Sequence, residues 1–471
     1  MNTPTGTVVV IGASIAGLLA ARAASRHAEQ VLILERDSLP SDAMPRRGVP
    51  QGVHAHILLA DGQARIEKWF PGITGELTLR GAVPVEAREL VWHQGGGYRL
   101  PSAVDLPVLS VSRPVLEDAL RSRVREDLQN VEIVDATSVD GLLCDRGAVR
   151  GVRAGDTRYP ADLVIDCSGR TTRAWAMLDQ AGFAAPDTDA VRIDVAYRTR
   201  VMRRHPSMFD EGCVVSIAPP SHRTGLGVMV PIEHGQWMLT AASFHGDPVP
   251  ESEDAFSVWA QTLPSDEIAQ TLAAAEPQGD VARFALRSSR RRRPERQRAL
   301  PSGFIAMGDA LCSFNPVYGQ GMTVAAREAH LLSELLERSS VVAPKLPRRF
   351  YRAAARIVDV PWRLAAAGDF ADPRTTGVRP RGTGLASRFL VRAVRAATRD
   401  AVVAHELTRV QHMLAGPGAL LRPLTLLRLL WASRVHADAA WRAGEGMSVF
   451  DELLAGRADM LSYGAVSRAV Q

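Results

Sequence analysis

The stretch VVVIGASIAGLLAARAASRHAEQVLILE, Val8–Glu35, decides the fold. Val8–Ile11 is short, β-branched and wholly apolar, the composition of a buried parallel strand. Gly12-Ala13-Ser14-Ile15-Ala16-Gly17 then turns tightly into a helix of small residues running to about Arg26. A second apolar strand, Val31–Leu34, ends in Glu35, an acid 23 residues after Gly12. Strand, glycine turn, helix, strand and terminal acid, in that order, read as a dinucleotide-binding βαβ unit. Gly12 makes the turn, and Gly17 lets the helix lie close on the sheet. The free N–H groups of the helix start, at Ser14 and Ile15, face a pyrophosphate. Glu35, followed by Arg36, accepts from the hydroxyls of an adenosine ribose. Ser14 stands where a second glycine is usual. Its Cβ holds the phosphate slightly further off, while its hydroxyl can donate to a phosphate oxygen.

The chain around this unit has 471 residues, enough for two or three domains with sizeable cores. Apolar residues are 46% and charged residues 23%, ordinary globular usage that excludes large-scale disorder. The 56 basic residues include only Lys68 and Lys345 as lysines, a bias read as the coding habit of a GC-rich genome. Cys144, Cys167, Cys213 and Cys312 are scattered and form no C-x-x-C pair, which fits a reducing cytoplasm. No signal peptide is expected, because the first strand begins almost at once. No apolar run reaches the roughly 18 residues of a membrane span, so a cytoplasmic protein is expected. Arg287–Arg298 holds seven arginines. It reads as a solvated connection rather than a nucleic-acid site, since no binding module or interleaved stacking aromatics accompany it.

A second motif lies far along the chain. Gly303–Met322 reads GFIAMGDALCSFNPVYGQGM: an apolar strand, Gly308-Asp309, a turn through Pro316 and Gly319, then a helix from Gly321-Met322. Here the sequence resembles the FAD-dependent monooxygenases of the para-hydroxybenzoate hydroxylase type. The resemblance implies that Asp309 contacts the ribityl–pyrophosphate part of FAD. It also implies that Gly321 and Met322 offer backbone donors to the flavin ring, where a helix N-terminus favours negative charge. Val111–Leu116 looks like that family's S-R-x-x-L helix start, whose arginine, here Arg113, reaches the cofactor. Asp162–Arg173 departs from the class A hydroxylase form, since Ser168-Gly169-Arg170 interposes and the acid is Asp166. Pro45–Leu58 (PRRGVPQGVHAHIL) and Val358–Phe370 (VDVPWRLAAAGDF) look most like the flavin epoxidases of polyether and polyketide pathways. That likeness implies that Arg47 and Gln51 lie beside FAD. The His54-x-His56 pair is too small a set for metal, and no metal site is expected.

The resemblance implies a Rossmann-type α/β FAD-binding domain with an antiparallel-sheet substrate domain and a helical C-terminal region. Its segments are 1–85, 105–175 and 300–345 for FAD, 86–104 and 176–299 for the sheet, and 346–471 for the helices. Strand-like runs are Arg88–Arg99, Arg192–Met202, Val214–Ala218, Gly225–Pro231 and Gln236–Phe244. Along the last of these Trp237, Leu239, Ala241 and Ser243 share a face, and Trp237 and Leu239 are the candidate substrate contacts. Leu385–Leu407 and Ala419–His436 have helical apolar spacing with arginines between. The implied activity moves one oxygen atom from O2, by way of a flavin C4a-hydroperoxide, to a hydrophobic product of secondary metabolism. Reduction of prenyl double bonds is the alternative, with halogenation and a flavin-free protein behind it. Only one dinucleotide fingerprint is present, so electrons come from NAD(P)H visiting transiently or from a separate flavin reductase. No catalytic acid or base is assigned.

Overall fold

The computed structural model describes residues 5–86, 89–102, 108–205, 212–218 and 223–434. The opening strand Thr7–Ile11 lies mid-sheet between Gln30–Leu34 and Leu163–Asp166, and every pairing is parallel. Phe304–Ala306 closes one edge and Val131–Val134 the other. Strands drawn from residues 7 to 306 thus form one five-stranded sheet. Its apolar runs lack alternation because helices cover it: Ile15–Ser25 and Gly321–Glu337 pack on each other, and their buried alanines and leucines join the strand valines in one core.

A second, eight-stranded sheet takes the order Cys312–Ser313, Pro277–Arg292, Thr188–Arg203, Gln236–Ser243, Leu226–Ile232, Val214–Ile217 and Val91–His93, with Thr376–Gly377 beside Thr188–Arg203. It is antiparallel except where Val91–His93 runs parallel to Val214–Ile217. A three-stranded meander, Gly141–Asp145, Ala148–Ala154 and Thr157–Pro160, has no counterpart in the sequence reading.

Three sequence expectations change. Arg287–Arg298 is not simply a solvated connection. Its first half completes the 16-residue strand Pro277–Arg292. Arg291 is 1% exposed and pairs with Asp359 at 2.5 Å, so alternation buries every second arginine against a helix acid. The run expected at Leu385–Leu407 is two helices, Thr383–Ala397 and Ala401–Gln411. Asp400 breaks it by accepting from the Val402 and Val403 N–H groups at 3.0 Å, a side-chain N-cap. The run expected at Ala419–His436 is a short turn, Pro417–Leu421, then the helix Pro423–Ala432, because Pro423 starts a new helix more readily than it continues one. His436 lies outside the described residues. The long helix Leu346–Asp369 packs on the first sheet, where the Tyr351 hydroxyl accepts from the Ala306 N–H at 2.8 Å. No described helix is long and apolar enough to cross a membrane.

Candidate functional site

The glycine turn is held by close backbone approach. Gly12 has φ of +99° and donates to Leu34 O at 2.8 Å. A Cβ on Gly17 would stand 1.8 Å from Gly12 O, so only glycine fits. Ser14 is the N-cap of Ile15–Ser25 but gives that helix no side-chain cap. Its hydroxyl turns outward instead, donating to Glu117 Oε2 at 2.7 Å and accepting from Arg113 Nη2 at 2.9 Å. The helix start therefore keeps free donors, and the buried Nε of Arg113 beside it makes no hydrogen bond, with Glu117 Oε2 3.8 Å away. Glu35 accepts from Ala13 N at 2.8 Å and from Asp37 N at 3.0 Å, which folds the strand-end acid back on the glycine turn.

Arg46 completes this wall. It donates to Glu117 Oε1 at 2.7 Å and to Asp37 Oδ2 at 3.1 Å, and it lies 3.1 Å from Glu35 Oε2. Burial opposes its charge, but Glu117 and Glu35 outweigh that and hold its pKa above the ordinary value. Its Nη2 is buried without a partner. The neighbouring Arg47, the cofactor candidate from sequence, is exposed, as is Arg36 with 53% of its side chain accessible. Gln51 is half-buried in the turn Pro50–Val53.

The Gly-Asp turn comes to the same place. Gly308 has φ of +59°, and a Cβ there would meet Ala16 Cβ at 2.9 Å, so the turn lies directly on the first helix. Its N–H donates to Glu328 Oε2 at 2.7 Å. Burial pushes the Glu328 carboxyl up to about 8, a fully buried acid that the sequence reading passed over. Asp309 is raised by burial, against the charges of Arg113 and Arg170. Arg113 thus neighbours both Ser14 and Asp309. Beyond it, Pro316 opens the turn Pro316–Tyr318, Gly319 takes φ of +65°, and Gly321–Glu337 begins with no side-chain cap from Gln320. Met322 is 7% exposed within the core. The turn is pinned from behind by Asp369, which accepts from Asn315 Nδ2 at 2.8 Å and from the Tyr318 hydroxyl at 3.0 Å. Burial lifts Asp369 to about 7.

Uncapped helix starts at Ser14 and Gln320, buried guanidinium nitrogens of Arg46 and Arg113 that make no hydrogen bond, and a glycine cradle fit a dinucleotide carrying a redox ring. Among the described residues no group of His, Cys, Asp and Glu could hold a metal ion.

Trp237 and Leu239, expected at the substrate, are buried with Phe256, Trp259 and Ile268 on the side of the sheet covered by Glu253–Ala260 and Glu267–Ala274. That packing puts them on the face turned away from Phe314, Val317 and Val324 of the segment after Asp309. The opposite face of the strand carries Met238, Thr240 and Ala242. Ala242 joins Tyr197, Leu226 and Phe284 in a cluster with Phe314, Val317 and Val324 of the turn and helix after Asp309. His54 meets this face, with Nδ1 at 2.7 Å from Thr199 Oγ1. Glu117 was open to sequence reading, four residues after Arg113 on one helix face. Nothing in the sequence separated Arg46 from Arg47.

The chain belongs to the FAD-dependent oxidoreductases. The family model described as FAD dependent oxidoreductase matches residues 7–177. A relative, Protein Rv3254 of Mycobacterium tuberculosis, is 34% identical over 413 residues, covering 83% of this chain and 86% of that protein. Among solved structures, the fold is similar to PqsL, a probable FAD-dependent monooxygenase of Pseudomonas aeruginosa (TM-score 0.60, 17% identity, 78% of this chain and 97% of that one). It is also similar to p-nitrophenol 4-monooxygenase PnpA of Pseudomonas putida (TM-score 0.59, 17% identity, 88% and 100%). The flavin-dependent brominase Bmp2 shares it too (TM-score 0.62, 16% identity, 90% and 97%).

Proposed function

We propose that the chain is a monooxygenase that transfers one oxygen atom from O2 to an apolar, natural-product-like molecule by epoxidation or hydroxylation. The observation that carries this reading is the packing of the apolar sheet face, Tyr197, Leu226, Ala242 and Phe284, against the turn and helix start after Asp309. An apolar wall beside the flavin seat shields the reacting atoms from water, which oxygen transfer requires. FAD bound at the cradle supplies electron storage and the reaction with O2. In this reading Ser14, Arg113 and the first helix start bind the pyrophosphate, Glu35 the ribose and Asp309 the ribityl chain. The N–H groups of Gly321 and Met322 orient the pyrimidine edge of the ring and favour its negative charge. The electrons come from NAD(P)H bound transiently or from a partner flavin reductase. The monooxygenases among the proteins of similar fold support oxygen transfer, and the brominase shows that the fold serves other flavin chemistry.

The test is anaerobic reduction of the purified flavoprotein followed by mixing with O2. A monooxygenase without substrate reoxidises rapidly and releases hydrogen peroxide in proportion to its flavin. Sluggish reoxidation would instead support a reductase of prenyl double bonds.

A further inference from the structure

The sheet face that meets the loop after Pro45 carries an unspent hydrogen-bond donor. His54 is 1% exposed, and its ring is held from one side only. Nδ1 lies 2.7 Å from Thr199 Oγ1, while Nε2 is buried with no partner. Behind Thr199, its hydroxyl is 2.6 Å from Thr240 Oγ1, and Thr240 Oγ1 accepts from the Ala55 N–H at 2.9 Å. Each hydroxyl has one hydrogen to place, and this sets the direction of the chain. With Thr240 donating to Thr199 and Thr199 to His54 Nδ1, both hydroxyl hydrogens are placed and only the Nε2 position is left without a partner. The reverse direction strands the Thr240 hydrogen in a buried site, at a cost of about 1–3 kcal/mol. The imidazole proton therefore sits on Nε2. Burial, with the nearby charge of Arg198, pulls the His54 pKa down to about 4, so the ring is neutral at physiological pH. Tyr197 and Phe284 stand around it, each with its ring centroid 5.6 Å from that of His54.

We infer that His54 Nε2–H is a substrate subsite, a neutral donor that receives a carbonyl, hydroxyl or ether oxygen of an otherwise apolar, ring-containing molecule. The inference rests on the monooxygenase reading and narrows its substrate class. A lone donor in an aromatic wall discriminates well, because a purely apolar analogue leaves it buried and unpaired. The Ala55–Thr240–Thr199 chain serves to fix the tautomer, so Thr199 and Thr240 are positioning residues.

The experiment is calorimetric titration of the oxidised holoenzyme, without electron donor, with α-tetralone and with tetralin, one ring skeleton with and without a carbonyl. The wild type is expected to bind α-tetralone about tenfold more tightly than tetralin, the worth of one buried hydrogen bond. His54→Phe brings the ratio near unity. Thr199→Val keeps the side-chain shape and His54 but removes the hydroxyl that fixes the tautomer, and gives an intermediate ratio even if His54→Phe fails to fold. Equal affinities in the wild type, no binding of either probe, or an unchanged ratio in both variants overturns the subsite. FAD content is measured on the same samples. A flavin-free protein counts against the monooxygenase reading, whereas the calorimetric ratio judges His54 alone.

Discussion

Arg113 donates from Nη2 to Ser14 Oγ across 2.9 Å, joining two helix starts 99 residues apart in the chain. Asp309 is a charge neighbour of the same guanidinium, so one side chain links the glycine turn to the Gly-Asp turn. Arg113→Ala is expected to weaken FAD binding to the apoprotein by about tenfold to a hundredfold, the range for a hydrogen bond to a charged group. Arg113→Lys restores part of it, because a point charge lacks the planar fork. Flavin fluorescence quenching measures both. Near-normal affinity in Arg113→Ala would remove Arg113 from the cofactor wall.

Arg46 and Arg47 are adjacent in sequence and opposite in environment. Arg46→Ala removes the buried cation that Glu35, Asp37 and Glu117 share, and is expected to destabilise the fold by about 3–5 kcal/mol. Arg47→Ala changes stability by less than about 0.5 kcal/mol, as surface substitutions do. Denaturant melts of the pair settle the matter, and equal effects would contradict the placement of Arg46.

Glu328 gives a pH signature. Its folded pKa is raised to about 8, so the folded state holds a proton that the unfolded chain releases at ordinary carboxylate pH. Between those two values the unfolded state binds fewer protons, and stability falls as pH rises. The slope from this group is at most about 1.4 kcal/mol per pH unit, and it levels off above the folded pKa. Glu328→Gln, which keeps an acceptor for the Gly308 N–H, should flatten the decline in melting temperature between mildly acidic and mildly alkaline pH. A parallel decline in wild type and variant would place the titration elsewhere.

Trp237 and Leu239 test which face of the sheet meets substrate. Leu239→Ala is expected to cost about 2–5 kcal/mol by leaving a cavity beside Phe256, yet to leave the α-tetralone to tetralin ratio untouched. A changed ratio with unchanged stability would return this face to the substrate.

The fold was legible where physics leaves little choice. Gly12 and Gly17 announce a backbone approach that a Cβ forbids, and the apolar runs at Val8 and Val31 suit only a strand covered on both sides. The strand Phe304–Ala306 and the turn at Gly308-Asp309 were legible from an apolar run ending in glycine. Alternation along Trp237–Phe244 separated the two faces correctly but could not orient them, because both faces are apolar and both are buried. Local spacing likewise cannot tell Arg46 from Arg47. That choice belongs to Glu117 and Asp37, which reach the site from other parts of the chain. The buried acids Glu328 and Asp369 read as ordinary helix carboxylates until tertiary packing removes water from them.

The most direct measurement of the account is the flavin content of the purified protein beside that of Asp309→Ala. The wild-type protein is expected to be yellow and to release about one FAD per chain on denaturation, and the folded variant to have lost most of it. A colourless wild type that takes up no added FAD, or an Asp309→Ala protein that holds FAD as tightly as wild type, would contradict it.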